Sequence, residues 1–366
     1  MPNSIAGLPV DQLDTPAMLI DLDAMDRNIA HMAETARENG VQWRPHAKGH
    51  KSPTVAHRQI AAGAIGVTCA KLGEAEVFAQ CGVKDILIAS QVVGPIKTRR
   101  LAALIAATGA DVIATVDSVA NVAELERAAA EFGVRPRVIV EVDSGMGRCG
   151  TAPGAATVEL AKAIDAAPSL RFAGLMAWEG HAVSMPEHEA RQAEIAAAIG
   201  RLVETAEACR AAGLTVDIVS CGGSGTYVHA AKQPGVTEIQ AGGATMGDFF
   251  YTELESPAEV ALSLMTQVIS RPTPDRIIVD AGRKTVDPSQ RVPRPRGIAG
   301  VEAVKFSAEH GTIHLDRPND ELQPGDRVFF DIGYHDQALH LHEHLYPVRD
   351  GVVLGAWPTL SRGKIW

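Results

Sequence analysis

Five cationic or imidazole side chains fall within eight residues at Arg44-Pro45-His46-Ala47-Lys48-Gly49-His50-Lys51. Pro45 blocks helix continuation and pushes Arg44 toward extended backbone. If the segment runs on as a strand, His46, Lys48 and His50 share one face, because side chains there alternate with period two. A lysine at a strand end, crowded by like charge and walled by apolar sequence, can present a free amine to a carbonyl. The alternative is a solvated basic loop, the ordinary fate of a charge run.

Other stretches carry reactive or ligand-binding groups. Glu141-Val142-Asp143-Ser144-Gly145-Met146-Gly147-Arg148-Cys149-Gly150 ends an apolar run with two acids, glycines and an arginine. Trp178-Glu179-Gly180-His181 sets an aromatic body beside hydrogen-bonding groups, which suits the wall of a ligand site. In Ser220-Cys221-Gly222-Gly223-Ser224-Gly225-Thr226-Tyr227 the glycines let backbone N–H groups approach a phosphate, and Ser224 and Thr226 add hydroxyls. Thr237-Glu238-Ile239-Gln240-Ala241-Gly242-Gly243 follows closely. Near the C-terminus, Tyr334-His335-Asp336-Gln337-Ala338-Leu339-His340-Leu341-His342-Glu343-His344 places four histidines and two acids in eleven residues, a composition that suits metal ligands. Read as a strand, it sets His340, His342 and His344 on one face, with His335 opposite to Tyr334 and Asp336.

The elements that must hold these groups are legible as a repeat of strand and helix. Apolar runs at 66–69, 85–89, 111–116, 137–142, 172–178 and 216–220 alternate with alanine-rich segments of helical period, such as 118–132, 157–166 and 187–212. Near-continuous apolar strands between helices mean a parallel sheet covered on both faces. About eight units, counting the short run at 237–240, favour a closed (β/α)8 barrel of TIM type, so the fold class is α/β. After about Tyr251 the helices give way to short β runs punctuated by Pro and Gly turns, which reads as a second, all-β domain. The expected division is a barrel over 23–251 and a β domain made of 1–22 plus 252–366. In such a barrel the late glycine-rich loop lies where phosphate binds.

Composition narrows the function classes. The formal net charge is −10 over 366 residues, which argues against a nucleic-acid surface. No apolar run approaches membrane-spanning length and no secretory leader is recognisable, so no membrane partner is expected. Five scattered cysteines without CxxC spacing read as reduced thiols in a cytoplasmic protein.

Arg-Pro-His-Ala-Lys-x-His-Lys resembles the pyridoxal-phosphate lysine motif of the D-threonine aldolase and D-serine dehydratase family, enzymes with the alanine-racemase-type fold. The resemblance extends through the motifs above, in order, from about Thr15 to Lys364. It implies that Lys48 carries pyridoxal 5'-phosphate as a Schiff base, with His46 and His181 as further catalytic candidates. It also implies that Arg148 contacts the cofactor ring or a substrate carboxylate. Gly223, Ser224, Gly225, Thr226, Gln240 and Gly242 would then hold the cofactor. The family's usual residue after the lysine is Thr, where this chain has Gly49. The family's His-x-Asp or His-x-Cys metal pair falls on Tyr334 and Asp336, so the first ligand is Tyr rather than His: either Tyr334 or a nearby His such as His342 joins Asp336 in holding a divalent metal (Mn, Mg or Zn), or metal is bound weakly or not at all. The implied activity is a lyase on a β-hydroxy D-amino acid, as a homodimer. Asp336 favours retro-aldol cleavage to glycine and an aldehyde over dehydration to a keto acid and ammonia. An amino-acid racemase and a non-catalytic cofactor-binding protein are the remaining readings.

Overall fold

The computed structural model describes residues 5–254 and 256–366. They form two compact units. One consists of Ala30–Lys48, Val55–Gly242 and Gly363–Trp366; the other of the segment ending at Ile29 with Gly49–Thr54 and Gly243–Arg362.

The first strand, β1 (Ala17–Asp21), belongs to the second unit. The next eight are the strands of the first: β2 (Gln42–Trp43), β3 (Val67–Cys69), β4 (Asp85–Gln91), β5 (Asp111–Val116), β6 (Arg137–Glu141), β7 (Arg171–Met176), β8 (Ile218–Cys221) and β9 (Glu238–Ile239). All their pairings are parallel, in the order β3-β4-β5-β6-β7-β8-β9-β2. The sheet closes where β2 runs out: Ile65 N–H donates to Trp43 O, Thr68 N–H to Pro45 O at 2.9 Å, and Ala47 N–H to Thr68 O at 2.7 Å. This is the expected barrel. The middles of its longer strands are buried, as Val138, Ile139 and Val140 of β6 show, and its interior is filled by Leu87, Ile113, Ile139, Ala173, Met176 and Ile218. Helices such as Pro95–Thr108 and Val119–Phe132 alternate with the strands and stop at left-handed Gly109 and Gly133.

The second unit is mostly strand: β10 (Leu262–Thr273), β11 (Arg276–Val279), β12 (Arg294–Pro295), β13 (Val301–Phe306), β14 (Gly311–Leu315), β15 (Arg327–Asp331), β16 (His344–Arg349), β17 (Val352–Val353) and β18 (Trp357–Pro358). The main path is β13-β14-β11-β10-β1-β16-β17, antiparallel except between β1 and β16. Leu13, Ala17, Leu19, Met265 and Val353 form a buried cluster of this unit.

One local reading changes. The histidine-rich stretch is not a strand: it folds as one helical turn, His335–Ala338, a 3₁₀ turn, Leu339–Leu341, and joins β16 only at His344. Consecutive Ala338 and Leu339 are both buried, which a strand alternating its faces does not allow in a one-sided sheet.

Candidate active site

In the barrel unit the reactive segment is anchored from below by Arg44, which is 1% exposed. Its guanidinium donates to Glu238 Oε2 at 3.0 Å and to Asp85 Oδ1 at 2.6 Å. Glu238 also accepts from Ser220 Oγ, and Ser220 Oγ accepts from Gln240 Nε2 at 2.9 Å. This buried network fixes the ends of β2, β8 and β9 to one another. Past Pro45 the strand geometry lasts only to His46, and residues 47–50 form turns. The common face expected for His46, Lys48 and His50 is therefore absent. The segment is no solvated loop either, since Arg44, Ala47 and His50 are buried. His46 Nδ1 accepts from Lys48 N–H at 3.3 Å, so a neutral His46 carries its proton on Nε2 and can only donate from there.

Lys48 Nζ lies 5.7 Å from the centre of the Trp178 ring, and the Arg148 guanidinium lies 5.0 Å from it. Arg148 also donates to Glu141 Oε1 at 3.3 Å, with Gln91 Nε2 on the other carboxylate oxygen at 2.6 Å. Asp143 ties the intervening loop through the N–H groups of Gly145 and Gly147, which hold its carboxyl below the usual carboxylate range. Loops following β2, β6 and β7 thus bring Lys48, Arg148 and Trp178 together past the C-terminal ends of barrel strands.

The loop after β8 completes this cluster. A Cβ on Gly223 would sit 2.9 Å from Trp178 Nε1, so only glycine lets the loop backbone meet the indole. Thr226 does not face the mouth: its hydroxyl donates to buried Glu179 and accepts from Gly223 N–H at 3.0 Å. It braces the loop. Burial raises the Glu179 carboxyl, opposed by the hydrogen bond from Thr226. Gln240 is likewise turned to Ser220, and its backbone N–H donates to Cys221 O and Gly222 O. Gly242 serves the lysine segment: a Cβ there would lie 2.8 Å from the backbone carbon of His46. Ser224 is buried in the loop and Gly225 partly exposed. Next to them the Tyr227 hydroxyl is buried with no partner among the described residues.

His181 Nε2–H donates to Glu194 Oε1 at 2.9 Å, and Arg201 donates to the same oxygen at 2.6 Å. The two donors hold the Glu194 carboxyl low. His181 Nδ1 is left buried without a partner among the described residues. In a neutral ring with its proton on Nε2 that nitrogen is a lone-pair acceptor. Sequence reasoning had no sign of Glu194 or Arg201 as its partners.

The β unit holds a second polar cluster. His335 is 0% exposed; its backbone N–H and Nδ1 both meet Asp248 Oδ2, at 2.8 and 2.6 Å, and Nε2 lies 3.1 Å from Asp336 Oδ1. Tyr334 donates to Asp336 Oδ2 at 3.0 Å. His342, expected beside Tyr334 and Asp336, instead bonds Thr285 O at 2.8 Å. Burial opposes protonation of His335, yet the bonds to Asp248 and Asp336 win and push it up to about 10. His50, buried nearby, is pushed down to about 3 by desolvation and by His335.

These shifts have opposite signs in stability. The His335 contribution is whole below about pH 6.5, its unfolded value, and is lost as pH rises toward about 10. His50 stays neutral in the fold, so its effect appears as pH falls below about 6.5 toward 3. A denaturant midpoint measured across pH should decline on both sides, and His335→Asn should flatten the alkaline limb alone. An unchanged alkaline limb in that variant would contradict the assignment.

Two fits can be judged from these groups. Lys48 at the mouth, an indole against a bare glycine backbone, and two buried polar atoms awaiting partners suit a phosphorylated, carbonyl-bearing ring, since orphaned buried polar groups cost about 1–3 kcal/mol. Around Tyr334 and Asp336, His335 Nε2 and His50 Nε2 are likewise buried with no hydrogen-bond partner among the described residues. Among the described residues no cluster of three or more His, Cys, Asp or Glu could hold a metal ion. A parallel eight-stranded barrel with a lysine and a glycine-rich loop at its mouth, in a chain that also has a β unit, is the architecture of pyridoxal-phosphate enzymes of the alanine-racemase type. The comparisons agree: residues 20–249 match the alanine racemase N-terminal domain and residues 261–348 a putative serine dehydratase domain, and the chain belongs to this family. It is 36% identical to a 3-hydroxy-D-aspartate aldolase of Paracoccus denitrificans (strain Pd 1222) over 99% of this chain and 95% of the relative. The crystal structure of a D-threonine aldolase from Filomicrobium marinum superposes with a TM-score of 0.94 at 33% identity, covering 99% of each chain. A D-threo-3-hydroxyaspartate dehydratase from Delftia sp. HT23 superposes at 0.86 with 31% identity, covering 96% of this chain and 99% of that one. Pyridoxal phosphate is the cofactor this family and this site imply.

Proposed function

We propose that the chain is a pyridoxal-phosphate lyase that cleaves β-hydroxy D-amino acids, of the 3-hydroxy-D-aspartate or D-threonine kind, to glycine and an aldehyde. The observation that carries the reading is Lys48 Nζ placed over Trp178 with Arg148 against the same ring. When bound, pyridoxal phosphate draws electrons from the amino acid's Cα, so that a bond there can break. Lys48 would hold the cofactor through Nζ, with the Gly223–Gly225 loop receiving its phosphate. Trp178 walls the reacting face from water, and Arg148 is the group suited to a substrate carboxylate. The β-hydroxyl must lose a proton as its carbon becomes a carbonyl, and Cα of glycine must gain one. His181 Nδ1 is the base we assign to the first transfer, with Glu194 and Arg201 fixing its tautomer; the Lys48 amine returns the second proton.

Replacing His181 with asparagine should therefore lower kcat by about 10²-fold while the cofactor's absorbance band is kept, in line with loss of one general base. A fall in cofactor content with unchanged kcat per bound cofactor would contradict that role. The remaining reading, dehydration, is supported by the likeness to the dehydratase. The two part on products: offered D-threonine, D-serine and 3-hydroxyaspartate, the holoenzyme should yield glycine and an aldehyde, whereas ammonia and a keto acid would make it a dehydratase. We further propose a homodimer acting in the cytoplasm. The five cysteines are free, and among the described residues no helix is long and apolar enough to cross a membrane.

A further inference from the structure

We infer that Arg201 is a positioning residue that clamps the loop carrying Arg148 to His181, so that the group suited to a substrate carboxylate and the base move as one rigid pair. The loop after β6 and the segment Trp178–His181 after β7 are tied together twice. At one tie the Arg148 guanidinium lies 5.0 Å from the centre of the Trp178 ring. At the other, Arg201 reaches out from the helix His188–Ala211 to both segments. Its Nε and Nη2 donate to Ser144 O at 2.8 and 2.5 Å, and Nη2 also donates to Glu194 Oε1 at 2.6 Å. The same carboxylate oxygen accepts from His181 Nε2–H at 2.9 Å. A single guanidinium nitrogen therefore holds both the loop backbone and the partner of the base. Its planar fork suits this work, since two N–H groups converge on one carbonyl while another hydrogen is left for the carboxylate.

The loop is shaped to receive the clamp. Gly145 has a φ of +125°, and a Cβ there would lie 3.0 Å from both Arg201 Nη2 and His181 Nε2. Any other residue would be strained at that φ and would wedge the two side chains off the loop. Asp143 gathers the same loop from within through the N–H groups of Gly145 and Gly147. One turn further along the helix, Thr205 Oγ accepts from Gly154 N–H at 3.1 Å, a second grip by the same face on the connection that follows β6. Charge completes the arrangement. Arg201 offsets Glu194 beside the imidazole, and Asp143 is a further charge acting on the ring from the loop.

The inference deepens the proposed lyase reading and rests on it for the roles of Arg148 and His181. Its test begins with hydrogen–deuterium exchange of the holoenzyme, which needs no substrate. In Arg201→Met the peptide spanning 143–148 should exchange at least about tenfold faster, since charge-assisted hydrogen bonds to its backbone are lost. Unchanged exchange would overturn the inference. In the same variant KM should rise about tenfold as Arg148 loosens. The acid limb of kcat/KM should move to higher pH, because Glu194 without its counter-charge favours the protonated imidazole. Glu194→Gln should move that limb to lower pH, and Asp143 is common to both variants. A change that only loosened the fold would not send the limb in opposite directions, and shifts of one sign would overturn the positioning role. Arg201→Lys keeps the charge but has one nitrogen, so the limb should return to the parent position while exchange and KM stay raised. Parent-like exchange in Arg201→Lys would contradict the clamp, and that variant carries the test even if Arg201→Met fails to fold. Faster exchange with KM and the acid limb unmoved would leave the clamp standing and would count instead against Arg148 and His181 as the reacting groups.

Discussion

Replacing Lys48 with alanine is expected to abolish the absorbance band of bound pyridoxal phosphate and to reduce turnover by at least about 10³-fold, because one amine both holds the cofactor and returns a proton. The fold should survive. Lys48 lies in a turn, partly exposed, and its side chain is not among the buried groups that lock the barrel. Circular dichroism and the melting temperature should stay close to those of the parent apoenzyme. Two results would contradict the account: a variant that keeps the band, or one that keeps a tenth or more of the parent rate. With excess pyridoxal phosphate supplied, adding a primary amine should restore part of the rate by standing in for the lost proton donor, whereas a substitution that only deformed the site would not respond.

Gly242→Ala is expected to be the most damaging change of a single methyl group near the site. The added carbon would meet the backbone of His46, at 2.8 Å from its carbonyl carbon and nearer to its oxygen, and no rotamer can relieve a clash with backbone. Either β9 or the lysine segment must move. The close approach is what allows His46 N–H to donate to Gln240 O at 3.0 Å. Overpacking of this kind costs about 1–3 kcal/mol, and loss of that hydrogen bond adds about 1 kcal/mol. Denaturant unfolding should show the loss of stability. Cofactor retention should fall with it, since Lys48 is two residues from the displaced backbone. Gly40→Ala makes a useful contrast: no atom lies within 4 Å of its Cβ position, although its φ of +66° carries a modest strain of its own. Equal cofactor affinity in Gly242→Ala and the parent would contradict the role given to this contact.

The barrel was legible because parallel strands buried on both faces must be apolar throughout, and the runs at 85–89, 111–116 and 137–142 are. The same argument could not see β2, which is only two residues long; the sheet closes through its Trp43 to Ile65 and, just beyond it, through Pro45 and Ala47 to Thr68. Lys48, Arg148, Trp178 and Gly223 could be singled out because each lies in a stretch whose residue types suit chemistry at a strand end. The local roles were less accessible. Thr226 has the hydroxyl of a phosphate ligand, yet Glu179, 47 residues earlier in the chain, claims it. His181 reads as a lone histidine until Glu194 and Arg201 are placed against it by the helix His188–Ala211. At 340–344, histidines at every second position imitate a strand; upstream, Asp248 draws both N–H groups of His335 to one carboxylate at the start of a helical turn. Asp248 itself carried a readable signal, an acidic N-cap before Phe249–Glu253, and its Oδ1 does accept from Tyr251 N–H. Its partner 87 residues away carried none.

The central claim is that Lys48 is the residue to which this chain attaches its cofactor. Borohydride reduction of the holoenzyme, followed by proteolysis and mass spectrometry, tests it most directly. The account predicts a single phosphopyridoxyl mark, on the peptide containing Lys48. A mark on Lys51, Lys71 or another lysine, or none on a protein that retains cofactor, would contradict it.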